Sequence, residues 1–327
     1  MLNRKLDLMI LNSEKIENVD GTFAMGMFKK SNALTLTMKN SEINVSNVNN
    51  ARNIIKDRTS LISNFRSYNL LTTAVHLSLF DNPNEAFDEI LDIYNKLNKQ
   101  FFQSAYLVLV AHYLYTNKHK LPIDEAIIKT KEAYDRMKTN HYFLTSGDDV
   151  MASAMIATNS NNLEKTFEEI EECYKILNNN GYFKGNNLQA LSNILCFAEG
   201  TPKEKCNKVI LFDKELRNIN IPLKGYALPI LGIAILVTDD YKELALAIKE
   251  TDDELKKHKG FGSMSLGYAT RCMISASITC STYLENTSEI NNTFTETTKN
   301  AVINIIIAMQ IAASAAAAGA ASGGSSS

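Results

Sequence analysis

Tryptophan is absent from the 327 residues, which weakens any reading built on an aromatic-lined ligand pocket. An excess of one charge is missing too: 34 lysines and arginines face 36 aspartates and glutamates, for a formal charge of −2. No global field therefore draws the chain to nucleic acid or to an anionic bilayer, and neither is expected as a partner. The tightest basic cluster, Lys256-Lys257-His258-Lys259, reads as the favourable C-terminal end of a helix dipole. The five cysteines, at 173, 196, 206, 272 and 280, contain no Cys-x-x-Cys pair and leave one over. That argues against a disulfide framework and for reduced thiols in the cytoplasm. The five histidines offer no His-Glu-x-x-His or i,i+4 pair, so no metal is expected, nor any other cofactor. His76 and His112 fall beside apolar positions and read as hydrogen-bonded core residues.

Long apolar runs are scarce as well. The opening MLNRKLDLMILNSEKIE is broken by Asp7, Asn12 and Glu14, so it is not expected to act as a secretory signal. Residues 301–318, AVINIIIAMQIAASAAAA, approach the length of a membrane span. Alanine adds little to insertion, so this stretch reads as a closing apolar helix, and membrane contact is not expected. Residues 319–327, GAASGGSSS, read as a flexible Gly/Ser tail.

What is present is a hydrophobic fraction of 45%, enough for a sizeable core, arranged in two recurring patterns. The first begins at Leu70, Leu107, Val150, Leu188 and Leu228, with steps of 37, 43, 38 and 40 residues. Four residues on stands a small residue (Ala74, Ala111, Ala154, Ser192, Gly232), and seven on an apolar one (Leu77, Leu114, Ala157, Leu195, Ile235). Leu266, Thr270 and Met273 extend the row. These offsets lie on one helix face, and the small residue lets a second helix approach closely. The second pattern runs 0, 3, 7, 10: Phe87, Ile90, Tyr94 and Leu97, with equivalents beginning at Ile127, Phe167, Cys206 and Ala245. Its third slot is Tyr94, Tyr134 and Tyr174, then Asp213 and Asp252. The two aspartates are expected to tilt to solvent while neighbours such as Phe212 fill the slot.

The two rows together predict an all-α protein of tandem helical hairpins, each about 40 residues, stacked as an α-solenoid. A closed α/α toroid is the alternative. The expected organisation is an N-terminal helical cap with a degenerate first unit over 1–62, hairpins over 63–300, the closing helix over 301–318 and the tail over 319–327. Within the cap, Leu34-Thr-Leu-Thr-Met38 alternates in the manner of a strand.

One stretch has the look of chemistry. Ser146-Gly-Asp-Asp149 resembles the Gly-Asp-Asp hairpin that holds metal in polymerases, but the residues after it are patterned as a helix. SGDDV aligns instead with KGNNL (184–188) and KGYAL (224–228), each a turn into the first helix of a hairpin. Ser146 then reads as an N-cap, Asp149 as its capping-box partner and Asp148 as a charge favourable to the helix start. These turns share one edge, so Asp148, Asp149, Asn186, Asn187 and Tyr226 are candidate ligand-binding residues on a rim. The Gly-rich stretches 21–31 and 260–267 fail as nucleotide loops, because Met27 replaces the required lysine and neither follows a strand.

Two groups of motifs carry a resemblance. IKDRTSLISNFRSYNLL (55–71), and FLTSGDDVMASAMIA followed by GNNLQALSNIL, are similar to a bacterial family known as domain of unknown function 4003. The resemblance implies a cytosolic bacterial protein with one helical domain along most of the chain. It assigns no activity, cofactor or catalytic residue. From the residues, the leading reading is a non-enzymatic helical-repeat binding or scaffold protein with a protein or peptide partner. The alternative is an enzyme whose toroid cavity gathers Asp148, Asp149, Asp213 and Asp252 into an acidic, metal-dependent site.

Overall fold

The computed structural model describes residues 2–20, 26–140, 145, 147, 149–221, 223–291, 302–303 and 306–307. Among them there are fourteen α-helices and no strand. They are α1 (Leu2–Lys15), α2 (Gly26–Met38), α3 (Val45–Arg58), α4 (Tyr68–Leu77), α5 (Pro83–Leu97), α6 (Tyr106–Thr116) and α7 (Ile123–Asn140), then α8 (Asp149–Asn159), α9 (Leu163–Asn179), α10 (Asn186–Leu195), α11 (Pro202–Asn218), α12 (Ile230–Ala234), α13 (Tyr241–Leu255) and α14 (Tyr268–Asn291).

The chain forms two compact units. Leu11–Thr158 with Ile307–Ser327 make the N-terminal unit, and Asn159–Ile306 with Met1–Ile10 make the C-terminal unit. In the N-terminal unit α2, α4 and α6 pack in succession, as do α3, α5 and α7, with α3 also against α4 and α5 against α6. In the C-terminal unit α9, α11 and α13 form one succession and α10, α12 and α14 the other, joined by α9 on α10 and α13 on α14. Burial explains the pairing. The 0, 3, 7, 10 positions of α5, α7, α9, α11 and α13 are all buried except Tyr134, which is half-buried. In α4, α6, α8, α10 and α12 the residues at offsets 4 and 7 are buried throughout.

Side-chain caps mark the starts of α3 and α5 in the N-terminal unit and of α9, α11 and α13 in the C-terminal unit. Asn44, Asn82, Asn162 and Asp240 each accept the backbone N–H three residues on, at the starts of α3, α5, α9 and α13. Thr201 and Glu204 form a complete capping box on α11. At α4, α6, α10 and α12 no side-chain cap bond is made.

The strand-like Leu34–Met38 stretch is helical. All five residues are buried within α2, because Thr35 and Thr37 donate their hydroxyls back to the carbonyls of Ser31 and Ala33 at 3.1 and 2.8 Å. The polar half of the alternation is thereby satisfied inside the helix. Residues 302–303 and 306–307 are helical and buried, and the remainder of 301–318 and the tail 319–327 lie outside the described residues. Among the described residues no helix is long and apolar enough to cross a membrane.

Candidate functional site: the loop edge of the C-terminal unit

Three loops, 180–185, 219–229 and 256–267, lead from α9, α11 and α13 into the helices that follow. Their sequences contain five lysines and no carboxylate. The loops 196–201 and 236–240, which lead into α11 and α13, carry Glu199, Asp239 and Asp240 and no lysine or arginine. Helix polarity accounts for part of this segregation, since cations favour helix C-termini and anions N-termini.

Tyrosine hydroxyls anchor the first two of these loops to neighbouring helices. Tyr182, in the first loop, donates its hydroxyl to Asp213 of α11 at 3.0 Å. Arg217, one turn on from Asp213, donates Nε and Nη2 to the same carboxylate oxygen at 3.0 and 2.8 Å. Tyr268, at the start of α14, donates its hydroxyl to the carbonyl of Asn220 in the second loop at 2.6 Å. The Asp213 hydrogen bonds raise the Arg217 pKa, and burial, followed by the Asp213 charge, raises that of the Tyr182 phenol. Both donors therefore keep their protons at neutral pH.

At the second of these loops lies a shallow depression of about 480 Å³, lined by Arg217, Asn220, Lys224 and Tyr268. Arg217 is already paired with Asp213, so Lys224 supplies the surplus positive charge beside an amide and a phenol, which suits a ligand carrying negative charge. The basic loops before and after that second loop in the chain carry large apolar side chains in full contact with solvent: Phe183 is 93% exposed and Met264 103%. Phe183 adjoins exposed Lys184, and Lys224 and Lys259 are exposed as well. The N-terminal unit has a depression of similar size, lined by residues including Lys15, Asn18 and Glu42. There the lysine is ion-paired with Glu42, so its lining offers no surplus charge.

The rim residues fall as follows. Asn186 and Asn187 are exposed in the first turn of α10, on the edge just described. Tyr226 sits in a 3-10 turn, Gly225–Ala227, that packs on α10 and α14; it is half-buried and its hydroxyl lies 2.6 Å from that of Thr270. Asp149 is the first residue of α8 in the N-terminal unit and is half-buried. Asp148 and the expected cap Ser146 lie outside the described residues.

Asp213 and Asp252 do not tilt to solvent. They are 4% and 3% exposed, each beside a guanidinium; Arg217 and Tyr182 bind only Oδ2 of Asp213, whereas both oxygens of Asp252 are matched. Arg271 of α14 grips Asp252 with Nε and Nη2 at 2.9 and 3.1 Å, and Ser275 adds its hydroxyl at 3.4 Å. A carboxylate can stay buried when an arginine fork neutralises it and supplies the hydrogen bonds that water would have given. Phe212 is buried alongside rather than in place of Asp213. The signal for Arg217 was present in the sequence as an i,i+4 pair with Asp213, whereas Arg271 is nineteen residues beyond Asp252 and only the fold brings it there.

Of the two histidines that fall beside apolar positions, His112 is buried and His76 half-buried. His112 Nε2 lies 3.1 Å from the Thr73 hydroxyl, and its ring meets that of His76 edge to face at 5.0 Å. Burial, with Lys39 adding repulsion, lowers the His76 pKa to about 4. Burial, with His76 adding to it, holds His112 well below its ordinary value. Among the described residues no group of three His, Cys, Asp or Glu side chains is placed to hold a metal ion.

A family model described as Protein of unknown function (DUF4003) matches residues 14–312. Among curated proteins, the chain is 26% identical over 212 residues to the uncharacterized protein YeaA of Bacillus subtilis (strain 168). The match covers 63% of each protein, so the chain spans less than two thirds of that relative's length. No solved structure matches.

Proposed function

We propose, from the premise that the chain belongs to the DUF4003 family of proteins of unknown function, that it is a non-enzymatic helical-repeat binding protein. In this reading the hairpins within each unit repeat as in an α-solenoid, supported by the alternating packing of α2 to α7 in one unit and of α9 to α14 in the other. The protein works in the cytoplasm, in keeping with its five free thiols, four of them buried. The binding face is the loop edge of the C-terminal unit, which includes Asn186, Asn187 and Tyr226 of the expected rim. One observation carries this: the second basic loop holds a cation-lined depression, and the first and third loops carry the fully exposed apolar side chains of Phe183 and Met264. For an acidic catalytic site, Asp213 and Asp252 would have to be available, and each is held by its own arginine.

The test is thermal unfolding of the full-length protein with increasing inorganic pyrophosphate at constant ionic strength. A saturable rise in Tm, lost in Lys224→Glu, is expected. Equal shifts in both proteins, or none in either, would remove the edge as an anion-binding face.

A further inference from the structure

The chemistry of the edge goes further than an unspecified anion. Phe183 and Met264 stand on separate loops and project singly, 93% and 103% exposed, rather than forming the walls of a groove. A protein partner buries its anchors in fitted pockets. Isolated apolar tips instead suit a medium that closes around each of them, which the acyl boundary of a bilayer does. Around these tips the three loops supply Lys184, Lys224, Lys256, Lys257 and Lys259 with no acidic residue. Lys256 and Lys257 reach back to Asp253 and Glu254 of α13, while Lys184, Lys224 and Lys259 have no carboxylate partner among the described residues and are exposed. Lysine stems can lie along an apolar surface while the ammonium groups stay at the phosphate level. The depression lined by Arg217, Asn220 and Lys224 is open to a phosphate group at that depth.

We infer that the loop edge of the C-terminal unit docks on an anionic phospholipid surface, with Phe183 and Met264 entering the interface and Lys184, Lys224 and Lys259 pairing with lipid phosphates. This rests on the binding-face reading above and specifies its partner. The anionic lipid of the cytoplasmic leaflet supplies the complementary field, and the near-zero net charge of the chain is no obstacle because attraction acts within a Debye length, about 10 Å at 0.1 M salt.

The experiment is sedimentation of full-length protein with vesicles of equimolar phosphatidylcholine and phosphatidylglycerol, beside vesicles of phosphatidylcholine alone. Binding to the anionic vesicles only is expected, weakening as sodium chloride rises. Phe183→Ser/Met264→Ser should reduce partitioning at least tenfold, and each of Lys184→Ala, Lys224→Ala and Lys259→Ala by roughly fivefold. All these positions are solvent-exposed, so folding, checked by circular dichroism, should persist. Leu246→Ser, at a 47% exposed site on α13, should leave partitioning unchanged. Absence of vesicle binding, with the pyrophosphate shift retained, would overturn the lipid inference and leave the anion-binding edge standing; loss of both would remove the edge itself. Binding to polyglutamate as tight as to the vesicles, and indifferent to the serine variants, would overturn it in favour of an acidic protein partner.

Discussion

Gly232 is where the packing of the C-terminal unit can be tested most directly. It occupies the small-residue slot of α12, and a methyl group added there would lie 2.8 Å from Ile194 Cγ2, 3.2 Å from Ile194 Cβ and 3.2 Å from Leu191 Cδ1 of α10. Carbon atoms in contact settle at about 3.5–4.0 Å, so the overlap with Cγ2 is about 0.7 Å. Leu191 can swing its terminal methyl aside. Ile194 cannot do so cheaply, because a β-branched side chain in a helix is confined to one favoured rotamer, and it is itself buried. Relief must come from separating α10 and α12, an overpacking strain of about 1–3 kcal/mol. Against it stands the preference of a helix for alanine over glycine, about 1 kcal/mol. The strain should win, leaving Gly232→Ala less stable by about 1 kcal/mol and Gly232→Val by more. Equilibrium urea unfolding followed by circular dichroism reads the difference. In an Ile194→Ala background, which deletes Cγ2, the same Gly232→Ala change should become neutral or stabilising, giving a coupling of about 1–3 kcal/mol. A Gly232→Ala protein that is more stable than the parent, or an effect identical in both backgrounds, would refute close approach of the two helices as the reason for glycine.

Other expectations follow from the buried polar groups and caps. Arg271→Met should destabilise by about 3–5 kcal/mol, since it strands the buried Asp252 carboxylate; adding Asp252→Leu should recover most of the loss in thermal melts, and a double variant no better than the single would count against the pair. Because the folded pKa of His76 is depressed to about 4, the unfolded chain binds more protons below its ordinary value near 6.5. Stability should therefore fall as pH drops from about 6.5 towards 4, by at most about 3 kcal/mol from this group, and comparison with His76→Leu should isolate that slope from the carboxylates titrating nearby. Parallel pH profiles for the two proteins would exclude His76 as the source. Thr201→Ala, which removes the capping box of α11, should lower stability by about 1 kcal/mol, with Thr201→Ser restoring it.

Much of the helical packing could be read from the chain because packing is periodic. Ala74, Ala111, Ala154, Ser192 and Gly232 recur at the same offset, and each is buried; at Gly232 the close approach of Ile194 and Leu191 is the reason. The caps were legible too: Thr201-Pro-Lys-Glu204 has the capping-box signature, yet the glycine turns at the other helix ends draw the eye first. What resists sequence reading is the direction of a loop side chain. Phe261 and Met264 are three residues apart in one loop, and the first is 1% exposed while the second is 103%; no periodicity distinguishes them, because a loop has no fixed angle per residue. The third slot shows why such departures carry information. Tyrosine there satisfies a hydrogen bond and fills space, as Tyr174 does by accepting the Gly185 N–H at 3.1 Å. Aspartate in the same slot must be neutralised, and at Asp213 and Asp252 it recruits Arg217 and Arg271. Arg217 is thereby fixed at the rim of the depression while its side chain remains 53% exposed. A carboxylate in a slot that holds a phenol elsewhere thus fixes a guanidinium at the end of α11, and the departure from the sequence pattern is what places Arg217 there.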